Sequence, residues 1–410
     1  MLRRLLFSLL LLPLPAFAAT LDGDWNGTLN TPRANLRLLF HFAQEGGQLV
    51  TDVTSVDQTT TPLRATTTTL SADALSVDFP TLKAGFKGTL DSAAHTITGA
   101  WTQNGHDLPL VLKPGTIKPT ALYRAPQAGD LTVAVPGGKL AATIWKADSK
   151  LAAVIITGSG PANRNGDSTT NGGRGTYRMI AEGLQAQGIN ALSFDKRGIG
   201  ESAPAALPPE QMKVNVRADD VRRLAAELKT RVGARCVWLV GHSEGGLIAI
   251  LAAQDNPDIC GIVSLSGMGR SLDVLLREQL ASRLPDDLKP KLGPTLDEIK
   301  AGKVVDAPQF GPMFAAPAQP YMRSEMVTDP AALLARTKFP VLILQGDADE
   351  NMSPADPQAL AKARPDAPLA ILPGMDHSLR VAKDDPGSGP SPLMPGLVDR
   401  IAKFMHDHSR

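Results

Sequence analysis

The sequence predicts an α/β protein: a mostly parallel sheet covered on both faces by helices, with an insertion over one end of the sheet, preceded by a small antiparallel β module. Three observations predict it. From about residue 126 onward, apolar runs of strand length alternate with helical segments, the pattern that places parallel strands beneath crossover helices. Residues 19–112 instead hold short alternating segments rich in Thr and punctuated by Gly and Asp, as antiparallel strands with one polar and one apolar face require. Between the two, residues 113–125 open on Lys113-Pro114-Gly115 and read as a linker.

The first eighteen residues read as an address rather than as fold. Arg3 and Arg4 give a positive start, residues 5–12 an apolar core, and Ala16-Phe17-Ala18 a small-x-small cleavage signal. The apolar run is too short to span a bilayer and is broken by Pro13 and Pro15. No cysteine lies near the cut, against a lipid anchor, and no later stretch has the length and apolarity of a membrane span. The expectation is an exported protein, periplasmic or extracellular. Lys+Arg 42 against Asp+Glu 41 gives no basic excess, and aromatic residues at 4% are too few for base stacking. Nucleic acid is therefore excluded as a partner.

In the β module, strand-like segments fall at residues 21–29, 36–42, 48–50, 86–90 and 96–101, with Gly23-x-Trp25 and Gly99-x-Trp101 as related signals towards its two ends. His41, His95 and His106 are scattered and read as ordinary strand or turn residues.

Beyond the linker, residues 131–135 and 140–145 pair across Pro136-Gly137-Gly138. Residues 151–157 are continuously apolar, hence a central strand. A helix over 177–187 ends at Gly188, a strand follows at 190–194, and residues 216–232 have helical spacing with Val221, Leu224, Ala225 and Leu228 on one face. Then come a strand at 237–240, an apolar helix over 247–253 and a strand at 259–265. Residues 267–329 interrupt the alternation with a charged helix (272–284), a second near 296–299 and a Pro- and Met-rich tract (308–326). Such an insertion reads as a lid or pocket wall. The sheet resumes at 339–344 and 369–372, and a helix over 395–406 closes the chain. Cys236 and Cys260 each open a strand, and two alternatives stand: a disulfide, or two buried thiols.

The chemistry concentrates at Gly241-His242-Ser243-Glu244-Gly245, a G-x-S-x-G hinge between strand and helix. A serine hydroxyl is a poor nucleophile and needs a base held by a third group. Two loops at the carboxyl ends of strands supply candidates, Gly346-Asp347-Ala348-Asp349 and Gly374-Met375-Asp376-His377, and in an open parallel sheet such ends share one crevice. The expected triad is Ser243 as nucleophile, His377 as base and Asp349 as the orienting acid. Asp349 lies far enough past Gly346 to turn into the crevice, whereas Asp376, adjacent to the histidine, points elsewhere. The expected oxyanion donors are the N–H groups of Glu244 and of Ser159 in Thr157-Gly158-Ser159-Gly160-Pro161. No phosphate-loop motif is present. Asp195 and Arg197 read as a structural loop bracing the crevice.

From about residue 126 to the end, the chain resembles the serine α/β-hydrolases of the esterase and serine-aminopeptidase type. The resemblance is carried by Gly158-Ser159-Gly160-Pro161, Asp195-Lys196-Arg197-Gly198-Ile199-Gly200-Glu201-Ser202, Gly241-His242-Ser243-Glu244-Gly245-Gly246, Gly346-Asp347-Ala348-Asp349 and Asp376-His377. It implies the α/β-hydrolase fold, acyl transfer to water, the triad above, and neither cofactor nor metal. Thr157, where many relatives carry His, and Met352, where a smaller apolar residue is common, depart from the pattern. The β module resembles the small lipocalin-like domains that precede some secreted hydrolases. The expected substrate is a small carboxylic ester. Met313, Phe314, Tyr321, Met322 and Met326 of the insertion offer an apolar wall, while Glu278, Asp286, Asp287 and Glu325 show no spacing that converges them on a substrate amine. The alternatives are a peptidase of the aminopeptidase type and a non-catalytic, ligand-binding relative, the latter needing a broken triad.

Overall fold

The computed structural model describes residues 21–30, 35–56, 62–80, 84–103, 105–117, 127–167, 175–281, 283–382 and 392–409. The expected leader and residues 118–125 of the expected linker lie outside them. The chain divides into two compact units, Met1–Thr120 and Ala121–Arg410.

The first unit holds β1 (Gly23–Asn30), β2 (Asn35–Glu45), β3 (Gln48–Ser55), β4 (Leu63–Arg64), β5 (Thr67–Ser71), β6 (Ala74–Phe79), β7 (Ala84–Asp91), β8 (Thr96–Gln103) and β9 (His106–Pro114). They form one antiparallel sheet in the order β4-β3-β2-β1-β9-β8-β7-β6-β5. The sheet curls until its far edge returns to its near one: Ala65 N–H donates to Thr51 O (2.9 Å), and Thr68 Oγ1 donates to Thr51 Oγ1 (2.9 Å). Alternation fills the inside with Phe40, Phe42, Phe79, Phe86 and Trp101 and turns threonines and charges outward. β9 runs on to Pro114, past the expected linker start. Gly115 N–H donates to Asp24 O (2.8 Å) and Asn26 Nδ2 to Gly115 O (2.7 Å), so local pairing overrides the Pro-Gly signal.

The second unit holds β10 (Asp130–Val135), β11 (Gly138–Trp145), β12 (Ala152–Ile156), α1 (Thr176–Ala186), β13 (Asn190–Phe194), α2 (Val214–Val232), β14 (Val237–His242), α3 (Glu244–Ala253) and β15 (Ile259–Leu265). After α4 (Leu272–Ala281), α5 (Lys289–Lys300), α6 (Gln319–Met326) and α7 (Pro330–Leu334) come β16 (Val341–Gly346), α8 (Ala355–Ala363), β17 (Leu369–Leu372) and α9 (Leu397–Asp407). The sheet order is β10-β11-β13-β12-β14-β15-β16-β17. β10, β11 and β13 pair antiparallel, and the rest is parallel. This is the α/β-hydrolase fold.

Alternate residues of the central strands feed two cores. Val154, Ile156 and Leu239 pack under α2 and α3, whereas Ala153, Ile155, Trp238 and Val240 pack against α1 and α9. A strand buried on both faces must be apolar throughout, which is why 237–240 reads as it does. The insertion is more helical than its composition predicts. α5 starts well before residue 296, a helix occupies 319–326 inside the Pro- and Met-rich tract, and a further helix, α7, follows directly after residue 329. Prolines sit in the first turn of α5, α6 and α7, where their missing N–H costs nothing and their fixed φ favours a helix start. Cys236 and Cys260 form a disulfide, with Cα atoms 5.2 Å apart at the beginnings of β14 and β15. Among the described residues no helix is long and apolar enough to cross a membrane.

Candidate active site

β14 delivers its chain end to a turn that only small neighbours permit. A Cβ on Gly241 would stand 2.3 Å from Gly245 O, and one on Gly245 would stand 2.3 Å from Ile156 O. Between them Ser243 adopts φ 54°, ψ −123°, a region that L-residues occupy only where surrounding structure enforces it. The enforcement is visible: Ser243 N–H donates to Leu265 O at 2.9 Å. The hydroxyl is thereby presented to a cavity of about 340 Å³, with α3 starting behind it.

His377 Nε2 lies 3.1 Å from Ser243 Oγ, and His377 Nδ1 lies 2.9 Å from Asp349 Oδ2. The buried Asp349 carboxylate also accepts Gln345 Nε2 (2.9 Å) and the N–H groups of Asn351 (2.8 Å) and Met352 (2.9 Å). Burial alone would raise its pKa; the His377 hydrogen bond and these N–H donors outweigh it and bring the group down to about 2. A fixed carboxylate at Nδ1 keeps the proton there and leaves Nε2 to receive one from the serine. Asp347 accepts Gly374 N–H (2.6 Å) and Asp376 accepts Arg380 N–H (2.9 Å), so both build loops instead of reaching the histidine.

The loop after β12 is pinned on two sides. Gly158 N–H donates to Tyr177 Oη (3.0 Å), which donates to His242 Nδ1 (2.9 Å), while His242 Nε2 donates to His377 O (2.8 Å). Burial lowers the His242 pKa to about 3 and raises that of Tyr177 to about 12, so both stay neutral and the relay keeps one direction. Lys196 Nζ donates to Gly158 O (2.8 Å) and to Gly160 O. Because the Gly158 N–H is engaged, Ser159 supplies the next N–H along the loop. Ser159 and Glu244 both border the cavity with Ser243 and His377. Asp195 pairs with Arg164 (2.9 Å) and Arg197 with Asp220 (2.7 Å); neither borders the cavity.

The cavity wall differs from the expected one. Of the five insertion residues singled out, only Met313 lines it; Phe314, Met322 and Met326 are buried in the same core as the sheet, α2 and α3, and the Tyr321 hydroxyl is turned onto the Glu244 carboxylate and Arg217. Leu272, Leu275 and Leu276 form the wall instead, because positions i, i+3 and i+4 share one helix face, with Met268 and Met352 beside them. The carboxylates also depart from expectation, since Glu325 does reach Glu244. Burial pushes the Glu244 pKa up, but Arg217, paired directly with it, and Lys196 hold it below the usual carboxylate range. Burial and the Glu244 charge push Glu325 well above that range, towards its protonated form.

Three contributors to the site went unread in the sequence. His242 and Lys196 stand inside motifs that were visible, but nothing local marks which way their side chains turn. Tyr177 carries no local signal, since only tertiary folding sets α1 beside β14.

Residues 171–384, a span that contains Ser243, Asp349 and His377, match the family model described as Serine aminopeptidase, S33 (Hydrolase_4). Among curated proteins, the 2-(acetamidomethylene)succinate hydrolase of Mesorhizobium japonicum is 26% identical over 207 residues, covering 46% of this chain and 72% of that protein. The monoglyceride lipase homolog of monkeypox virus is 32% identical over 117 residues, covering 28% of this chain and 42% of that protein. Among solved structures, a proline iminopeptidase of Mycobacterium smegmatis aligns with a TM-score of 0.47 at 17% identity, over 68% of this chain and 98% of that one. A thermophilic esterase from Thermogutta terrifontis aligns with a TM-score of 0.46 at 17% identity, over 69% and 100%.

Proposed function

The chain belongs to the serine aminopeptidase S33 family, and we propose that within it this protein is an exported serine hydrolase cleaving carboxylic esters of modest size. Ser243 Oγ attacks the ester carbonyl carbon while His377 Nε2 takes its proton, and Asp349 steadies the imidazolium. The N–H groups of Ser159 and Glu244 receive the oxyanion. Collapse expels the alcohol, protonated by His377, and leaves an acyl group on Ser243. Water, activated by the same histidine, releases the acid.

The single observation that carries this reading is the hydrogen-bonded row Asp349–His377–Ser243, opening on a cavity walled by Leu272, Leu275, Leu276 and Met352. An apolar wall with a few polar groups suits an acyl chain. The names of the two curated relatives, a hydrolase and a lipase homolog, agree with hydrolysis.

One observation favours the aminopeptidase reading instead: Glu244 and Glu325 meet at the cavity. Their charge state argues for the ester. The Glu244 carboxylate is matched by Arg217 and Glu325 is pushed towards its protonated form, which argues against a surplus negative charge awaiting a substrate ammonium. A panel of acyl p-nitrophenyl esters graded by chain length, run beside aminoacyl anilides, decides between them. Short esters should have the higher kcat/KM; an anilide matching the best ester would replace the ester reading by a peptidase.

Export is supported by the basic and apolar start of the chain and by the Cys236–Cys260 disulfide, since such bonds persist in oxidising compartments. Mass spectrometry of the purified mature protein tests it: the chain should begin at Ala19, and an intact leader would refute export.

A further inference from the structure

Lys196 follows β13 in the Asp195-Lys196-Arg197 loop, yet its side chain turns inward and is buried. Its ammonium donates to Gly158 O at 2.8 Å and to Gly160 O, the carbonyls of the two residues that flank Ser159. Gly158 O belongs to the same peptide unit as Ser159 N–H. In a trans peptide these two groups point in opposite directions, so a donor fixed on the carbonyl fixes where the N–H aims. A cation on that carbonyl also polarises the amide and makes its N–H the stronger donor. The loop has little freedom to aim otherwise. Tyr177 holds Gly158 N–H, and a Cβ on Gly158 would stand 3.1 Å from Ser243 Cβ.

We propose that Lys196 is a positioning residue of the oxyanion hole, gripping Gly158 O from behind so that Ser159 N–H is aimed and strengthened toward the oxygen of a carbonyl under attack by Ser243. This rests on the reading of Ser243 and Ser159 given above and adds a group that touches neither substrate nor nucleophile. The titratable groups that face Lys196 are Arg217 of α2, Glu244 of α3 and Glu325 of α6. Burial first, then Arg217, bring its pKa down to about 7, against the opposite pull of Glu244. The cation is therefore present below about pH 7 and is lost as pH rises above it, whereas an arginine in its place stays charged.

The test uses the full-length protein carrying Lys196→Met or Lys196→Arg, with wild type and Ser243→Ala alongside. A short p-nitrophenyl ester is the substrate, and an alkyl boronic acid that forms a tetrahedral adduct is the probe. Lys196→Met should lower kcat by roughly 10²-fold, the scale of one lost oxyanion donor, with KM within about threefold of wild type. The boronic acid should weaken in proportion to kcat. For Lys196→Arg, the ratio of its kcat to that of wild type should rise between about pH 6 and pH 9, because only the wild type loses its cation. A merely structural lysine would move neither the kcat-to-KM split nor this ratio. Undiminished kcat in folded Lys196→Met, or a loss confined to KM, overturns the inference while Ser243 dependence still stands. If Lys196→Met does not fold, Lys196→Arg decides, and a flat ratio overturns the inference. Turnover surviving in Ser243→Ala overturns the site reading itself and the inference with it.

Discussion

Tyr177 Oη lies 2.9 Å from His242 Nδ1, and this hydrogen bond joins the loop carrying Ser159 to the turn carrying Ser243. Gly158 N–H feeds the tyrosine, and His242 passes the chain on to His377 O. The three loops that must act together are thus held by one neutral relay through two buried rings.

Tyr177→Phe removes the middle of that relay while keeping the ring. It leaves Gly158 N–H and His242 Nδ1 without their partner, at a cost of about 1–3 kcal/mol. A fall in kcat of about tenfold should accompany it. Urea denaturation and ester kinetics on one preparation check both; a variant equal to wild type in stability and kcat would show that the relay is incidental.

Asp349→Asn should lower kcat by roughly 10³–10⁴-fold, because an amide no longer holds the histidine in its acting tautomer. Asp347→Asn and Asp376→Asn should stay within about tenfold, since Asp347 accepts the N–H of Gly374 in the neighbouring loop and Asp376 that of Arg380 in its own, and neither reaches the histidine. A larger loss at either of these would move the orienting role away from Asp349.

Acid should destabilise the protein in two stages. His242 titrates at about 3 in the folded chain, against an ordinary value near 6.5, with burial the chief cause and the charge of His377 next. A base with a depressed folded pKa supplies stability above its unfolded value that is lost as pH falls from about 6.5 towards 3. The shift corresponds to an effect on the order of 3–5 kcal/mol. Asp349, at about 2 in the folded chain, adds a further loss on the order of 2 kcal/mol as pH falls from about 4 to 2. Urea titrations at a series of pH values should show both, and His242→Gln should remove the first. An unchanged slope between pH 6.5 and 4 in that variant would assign the first stage to other groups.

Arg217 and Glu325 should behave oppositely when neutralised. Arg217→Met strands the buried Glu244 carboxylate and should cost about 3–5 kcal/mol. Glu325→Gln replaces an acid pushed towards its protonated form by an amide of the same shape and should cost under about 1 kcal/mol, with ester turnover changed only a few-fold. Thermal and urea unfolding measure both; a loss at Glu325→Gln as large as at Arg217→Met would mean that Glu325 is ionised after all.

What the sequence showed and what it hid divide along a physical line. Val154, Leu239 and Val240 are apolar because both faces of their strands are covered, so the parallel core is written in composition. Gly241 and Gly245 are demanded by backbone contact, so the turn around Ser243 is written there too. The insertion was harder to read, because prolines at helix starts look like breaks in helices. Hardest were pairings set by tertiary folding alone. Nothing near Glu325 indicates that α6 will lay it beside Glu244, and nothing near Tyr177 announces His242.

The disulfide between Cys236 and Cys260 has a topological consequence. The closed ring encloses all of β14, the strained turn at Ser243 and α3. Parallel strands ordinarily find each other across a long stretch of chain, paying the entropy of loop closure before any pairing rewards it. Once the bond has formed, the starts of β14 and β15 are neighbours even in the unfolded chain, and the register of that pair is chosen in advance. A reduced chain has to rediscover that register each time it unfolds, whereas an oxidised one carries it as a covalent memory.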